Sequence, residues 1–102
     1  MKPLVSVAVL TFNSQPTVRQ CIDSILMQNV DFDYEIVVGD DCSGDSTPDI
    51  LLEYSDRFPG KFILLLNETN EGVSKNNIKV LSRCRGRYIA MCEGDDYWYD
   101  RN

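Results

Sequence analysis

At 102 residues the chain is one domain or part of one, with room for only a modest core. A content of 43% hydrophobic and 25% charged residues excludes disorder, and a net charge of -6 without a basic patch excludes broad attraction to nucleic acid or anionic membrane. No apolar run approaches the ~20 residues that cross a bilayer, and the amino terminus enters a strand without a signal-peptide pattern. The four cysteines, Cys21, Cys42, Cys84 and Cys92, have no CxxC spacing and no histidine to complete a zinc set. They read as thiols of a reducing compartment, so a cytoplasmic protein with no direct membrane insertion is expected, at most peripheral to the inner face of the membrane.

Leu4 to Leu10 is nearly continuous in apolar or small residues and rich in valine, as in a parallel strand covered on both faces. It ends at Thr11-Phe12-Asn13. After a Ser-Gln-Pro turn, Val18, Cys21, Ile22, Ile25 and Leu26 recur at helical spacing. A second strand, Tyr34 to Gly39, runs into Asp40-Asp41-Cys42-Ser43. A second helix follows, with Thr47 as its cap, Pro48 in its first turn and Ile50, Leu51, Tyr54 and Phe58 as its buried stripe. Pro59-Gly60 stops it. Lys61 to Leu66 reads as a third strand and Asn67 to Gly72 as a polar loop. The spacing predicts a third helix over roughly 74–84, facing inward through Ile78, Leu81 and either Cys84 or Val80. A last strand spans Arg87 to Cys92. The basic residues Arg83, Arg85 and Arg87 beside it read as a solvated rim.

This βαβαβαβ order predicts an α/β fold: a three-layer α/β/α arrangement with a mostly parallel sheet and right-handed crossovers. Ligands of such sheets bind beyond the carboxyl ends of the strands, near the point where strand order reverses. Three polar clusters, Thr11 to Asn13, Asp40 to Ser43 and Glu93 to Asp96, fall at strand ends. In the last of them three carboxylates follow directly on an apolar strand, and their repulsion calls for a cation, a proton or strong donors. Extended backbone puts Glu93 and Asp95 on one side, able to share a divalent ion, with Gly94 letting a large ligand approach the backbone.

The other clusters admit two uses each. Asp40 or Asp41 can accept a hydrogen bond from a base N–H, or cap the turn from Ser43 to Thr47 through backbone N–H groups. Thr11 and Asn13 can bond to a base or satisfy the strand exit; Phe12 can stack on a base or fill the core. Lys75 and the first N–H groups of the third helix can hold phosphate or close a capping loop. Trp98, Tyr97 and Tyr99 can floor a sugar site or belong to the core. No GxGxxG or GxxxxGK[ST] occurs, so dinucleotide and P-loop sites lose most of their support.

Five segments, VSVAVLTFN, SILMQ, EIVVGDDCSGDST, NEGVSKNN and GRYIAMCEGDDYW, in that order from about Val5 to Trp98, resemble the amino-terminal half of a family 2 glycosyltransferase with the partial GT-A (Rossmann-like) fold. The resemblance implies transfer of a sugar from a UDP- or dTDP-linked donor to a hydroxyl of a glycan, lipid-linked or other acceptor, in bacterial polysaccharide or cell-envelope glycan synthesis. It puts Thr11 in the nucleoside pocket, Asp41 on the N–H of uracil or thymine and Asp40 beside it. Glu93-Gly94-Asp95 falls on the DxD motif, with Asp95 the better candidate to coordinate Mn²⁺ or Mg²⁺ at the diphosphate. Glu93 replaces the usual aspartate; Asn77 and Ile78 stand where many members have arginine and asparagine. Cys42 replaces a common glycine, which demands a turn open to a side chain. The general base of an inverting reaction is expected beyond Asn102. Residues 1–102 then form the nucleotide-binding part of a longer enzyme, inactive alone, with an exposed sheet edge that favours a homodimer. Two other readings are a sugar-phosphate nucleotidyltransferase, which wants a Gly-rich loop where Thr11-Phe12-Asn13-Ser14 stands, and a non-catalytic interaction module.

Overall fold

A computed structural model describes residues 2–93. The elements alternate as β1 (Val5–Thr11), α1 (Gln15–Leu26), β2 (Tyr34–Asp40), α2 (Thr47–Arg57), β3 (Phe62–Leu66), α3 (Val73–Arg83) and β4 (Tyr88–Glu93). The strands form one parallel sheet in the order β3-β2-β1-β4. The chain steps from β1 through β2 to β3 in one direction and then returns past β1 to add β4. Crossovers of one hand therefore leave α1 and α2 on one face and α3 on the other.

The two faces are unequally furnished. Val7, Val9, Ile36 and Val38 pack under α1 and α2 against Val18, Cys21, Ile22, Ile25, Ile50, Leu51 and Tyr54, all buried. The opposite face has a smaller buried cluster of Ala8, Val37 and Val80, with Leu10, Ile63, Leu65 and Cys84 partly covered. On β4, Ile89 and Met91 stay 46% and 48% exposed. They lie on the α3 side of the sheet, because their β1 neighbours Ser6 and Ala8 do.

Three expectations are corrected. In α3 the inward residues are Asn76 and Val80, whereas Ile78 is 67% and Leu81 37% exposed. At α2, Thr47 lies inside the helix and the cap is supplied by Asp45, whose Oδ1 accepts from the Thr47 N–H at 2.9 Å and the Thr47 hydroxyl at 2.5 Å. Pro48 does occupy the first turn. Arg85 is more than rim: its backbone N–H and Nε donate to Glu35 at 2.7 and 2.9 Å. Glu35 is buried in β2 and also accepts from the Ser6 hydroxyl at 2.6 Å, while Ser6 Oγ accepts from the Gly86 N–H at 2.7 Å. Burial would push the Glu35 carboxyl up, but these donors outweigh it and hold it below the usual glutamate range. The knot binds β2, β1 and the entry to β4. Near the other end of β4, Cys92 Sγ meets Cys21 Sγ of α1 at 3.3 Å. Both fixings help set where β4 delivers Glu93.

Candidate functional site

Parallel strands bring their carboxyl ends to one edge of the sheet, and two tight backbone turns shape that edge. Asn13 and Cys42 adopt left-handed backbone, with φ of 49° and 62°. Asparagine tolerates this region through its short polar side chain; Cys42 adopts it too, as a turn open to a side chain requires, and its thiol donates to the Glu68 carbonyl at 3.4 Å. The β1 and β2 exits are stitched together. The Asn13 N–H donates to Ser43 Oγ at 2.9 Å and Asn13 Oδ1 accepts from the Gly44 N–H at 2.7 Å.

Asp40 and Asp41 divide their work. Asp40 is buried and turned into the structure: its carboxylate accepts from Thr11 Oγ1 and Ser43 Oγ, both at 2.6 Å, and from the Ser43 N–H at 3.0 Å. It fastens the turn that follows β2. Asp41 crosses to the β3–α3 loop instead. Its Oδ1 accepts from the Glu71 N–H at 2.7 Å and from Asn67 Nδ2 at 3.1 Å, and its Oδ2 from the Gly72 N–H at 2.9 Å. Burial pushes the Asp41 carboxyl up, but the Glu71 N–H, the Asn67 amide, the Gly72 N–H and the Lys79 ammonium together hold it below the ordinary aspartate range.

A cleft of about 660 Å³ opens between these turns and the amino end of α3, lined by Thr11, Phe12, Asn13, Asp41, Asn70, Gly72 and Val73 among others. Phe12 is half exposed there, so its ring is a wall and not core. Gly72, with φ of 91°, supplies the bend into α3 that only glycine takes easily. Of the residues singled out in the sequence, Thr11, Phe12, Asn13 and Asp41 line this cleft, whereas Asp40 lies beneath it and Lys75 is exposed on α3, outside the lining. Glu93 closes β4 in register with Leu10, another cleft residue. Gly94, Asp95, Asp96, Tyr97, Trp98 and Tyr99 lie outside the described residues. Among the described residues no group of three or more acidic, cysteine or histidine side chains could hold a metal ion.

Sequence reasoning missed Asn67, which stands behind Asp41 outside the lining, and Asn76, which supports Asn67 and also lines the cleft. Asn76 is buried in α3 and bonds to Asn67 at 3.2 Å and to the Gly39 carbonyl at 2.9 Å. The only signal was indirect: Gly39, a glycine inside an otherwise valine-rich strand, marks a close approach.

The sequence profile of glycosyl transferase family 2 matches residues 6–102. The chain belongs to this family. A relative, the glycosyltransferase TuaG of Bacillus subtilis (strain 168), named for teichuronic acid biosynthesis, is 35% identical over 97 residues, which are 95% of this chain and 38% of TuaG. Residues 1–349 of S. aureus TarS in complex with UDP superpose with a TM-score of 0.83 at 31% identity over 95% of this chain and 28% of that one. The mannosyltransferase PcManGT of Pyrobaculum calidifontis, in complex with GDP-Man and Mn²⁺, gives a TM-score of 0.85 at 26% identity over 99% of this chain and 30% of that one. The four-stranded parallel sheet with helices on both faces is thus the α/β, Rossmann-like framework of GT-A glycosyltransferases. The chain spans about a third of the length of these relatives.

Proposed function

We propose that this family 2 chain is the donor-nucleotide half of a metal-dependent glycosyltransferase that takes its sugar from a UDP-linked donor, with dTDP as the close alternative. The observation that carries the reading is the shared cleft: Thr11, Phe12 and Asn13 from the β1 exit and Asp41 from the β2 exit line one space beside the amino end of α3. Phe12 offers an apolar wall for a base or ribose, and Asp41 an acceptor. A carboxylate has about four acceptor positions. The Glu71 and Asn67 donors fill Oδ1 and the Gly72 donor takes half of Oδ2. Among the described residues one position on Oδ2 remains, which suits the single imide N–H of uracil or thymine better than the paired donors of guanine. TarS in complex with UDP is a family precedent for that base, and PcManGT with GDP-Man a precedent for the other.

The acidic motif at the end of β4 would serve the diphosphate. Glu93 ends its strand beside the cleft residue Leu10, and Asp95 follows two residues on. Asp95, with Glu93, would hold Mn²⁺ or Mg²⁺, and such an ion offsets the negative charge that develops on a leaving diphosphate. The chain's own part is to bind and orient the nucleotide through Asp41, Thr11, Asn13 and Phe12. Gly94 would leave room for the ligand beside the backbone. Lys75 would act only on a phosphate reaching past the lining. Acceptor binding and the general base belong to the rest of the protein, so donor binding and turnover separate in this reading. TuaG supports a role in bacterial cell-envelope polysaccharide assembly. Among the described residues no helix is long and apolar enough to cross a membrane.

Calorimetry with UDP, GDP and ADP, with and without Mn²⁺, tests the reading. UDP should bind most tightly, Mn²⁺ should strengthen it, and Asp41→Asn should weaken it. Identical weak binding in every case would reject the nucleotide role. A UDP-sugar hydrolysed or transferred equally well by the isolated 102-residue chain and by a longer parent would reject the division of labour.

A further inference from the structure

Asn76 is a polar side chain in a position that helix packing normally gives to an apolar one. It is 2% exposed and points at the sheet one turn before Val80. Its seat exists because residue 39 has no side chain. A Cβ on Gly39 would lie 2.6 Å from Asn76 Oδ1 and 2.4 Å from Val80 Cγ2. Strand β2 thus gives up a core side chain where α3 inserts an amide.

The bonds of that amide run in one direction. Asn76 Nδ2 donates to the Gly39 carbonyl at 2.9 Å, which leaves Oδ1 to accept from Asn67 Nδ2 at 3.2 Å. The same Asn67 Nδ2 donates to Asp41 Oδ1 at 3.1 Å, while Asn67 Oδ1 accepts from Lys79 Nζ at 3.0 Å. The polarity of the relay is fixed at each end. A carbonyl and a carboxylate only accept, and an ammonium only donates. Reversing Asn67 would set its carbonyl against the Asp41 carboxylate and Asn76 Oδ1 together, with no proton between them. Asp41 and Lys79 thus orient Asn67, and Asn76 Oδ1, accepting from the same Nδ2, holds that amide in place against Asp41.

We propose that Asn76 is a positioning residue for base selection: through Asn67 it holds the Asp41 carboxylate so that its open acceptor position faces the cleft. The claim rests on the nucleotide reading above and deepens it. A fixed acceptor at this point favours uracil, whose ring N3 carries a proton, over cytosine, whose N3 carries a lone pair. The relay should therefore act on the ratio of UDP to CDP affinity and not only on stability.

The test is titration of UDP and CDP, as free nucleotides, into the wild-type chain, Asp41→Asn, Asn76→Ala and Asn67→Ala. Asn67 is half-buried on the loop, so Asn67→Ala cuts the same relay without opening the core should Asn76→Ala fold poorly. Loss of one directing hydrogen bond to a charged group should shrink the UDP-over-CDP preference by about tenfold in both relay variants. Hydrogen exchange at the Glu71 and Gly72 amides, which donate to Asp41, should speed up in parallel. A purely structural role would lower stability and leave the ratio alone. If wild type prefers UDP and Asp41→Asn abolishes the preference, but Asn67→Ala and folded Asn76→Ala retain it, the relay is overturned while the nucleotide reading stands. If wild type shows no preference and Asp41→Asn changes nothing, the nucleotide reading fails and takes the proposal with it.

Discussion

Replacing Glu35 tests whether the buried knot at the far end of the sheet governs stability as its geometry implies. The carboxylate is 2% exposed and receives the Ser6 hydroxyl, the Arg85 N–H and the Arg85 guanidinium, whose NH2 lies 2.8 Å from Oε1. The Arg85 side chain is 53% exposed, so its guanidinium finds water when the partner is lost and that contact contributes little. The Ser6 hydroxyl and the Arg85 N–H are less fortunate. Each stranded donor costs about 1–3 kcal/mol. Glu35→Ala should therefore lose about 3 kcal/mol, a large share of the ~5–15 kcal/mol that holds a small domain folded. Glu35→Gln keeps one acceptor oxygen but turns an NH2 toward donors, so about half that loss is expected. Acid should separate the variants further. The folded carboxyl titrates below the unfolded one, so its contribution is complete above about 4.5, the ordinary glutamate value, and fades as pH falls toward the lower folded value. Over that window wild type should lose stability that Glu35→Gln does not have to lose. Urea unfolding followed by circular dichroism between pH 7 and pH 3 measures both effects. A loss below about 1 kcal/mol in Glu35→Ala, or parallel pH profiles for wild type and Glu35→Gln, would refute the reasoning.

Two further substitutions probe packing. Gly86→Ala should cost about 2 kcal/mol, because its Cβ would fall 2.4 Å from the Ser6 nitrogen and 2.6 Å from the Val5 carbonyl carbon, backbone atoms of a central strand that cannot turn aside. Gly44→Ala, whose only neighbour among the described residues would be Asn13 Oδ1 at 3.8 Å, should leave the melting temperature nearly unchanged, and equal melting temperatures for the two would count against the clash. Leu51→Ala should destabilise by about 3 kcal/mol and Leu52→Ala by under about 0.5, since Leu51 is fully buried and Leu52 is 47% exposed; similar urea midpoints would show that α2 packs through another face.

The order of elements was legible because strands buried on both faces read as apolar runs, and each such run here ended in a polar cluster. The stripes of α1 and α2 were legible for a related reason. Val18, Cys21, Ile22, Ile25, Ile50, Leu51 and Tyr54 compete for one well-filled face, where hydrophobic area decides rotation. On the other face, among the described residues, α3 packs largely alone over a thin cluster, and there the same rule failed. Ile78 and Leu81 were expected inward, yet the helix is rotated so that Asn76 meets the gap at Gly39 and Val80 meets Val37 and Ala8. Two hydrogen bonds from a seated amide can outweigh one exposed isoleucine when few apolar partners are on offer. Glu35 stayed hidden for the converse reason. A charge inside a strand reads as a solvent-facing position until its donors, 29 and 50 residues away along the chain, are brought to it. Asp41 shows the limit most clearly: the turn from Ser43 that it was expected to share with Asp40 went to Asp40, and the loop it holds instead lies 26 to 31 residues away along the chain. With three loop-side donors in place, the carboxylate is already anchored before any ligand arrives. In the proposed reading anchoring and recognition are one device, because the bonds that fix the loop are also those that would hold the carboxylate in place for a base.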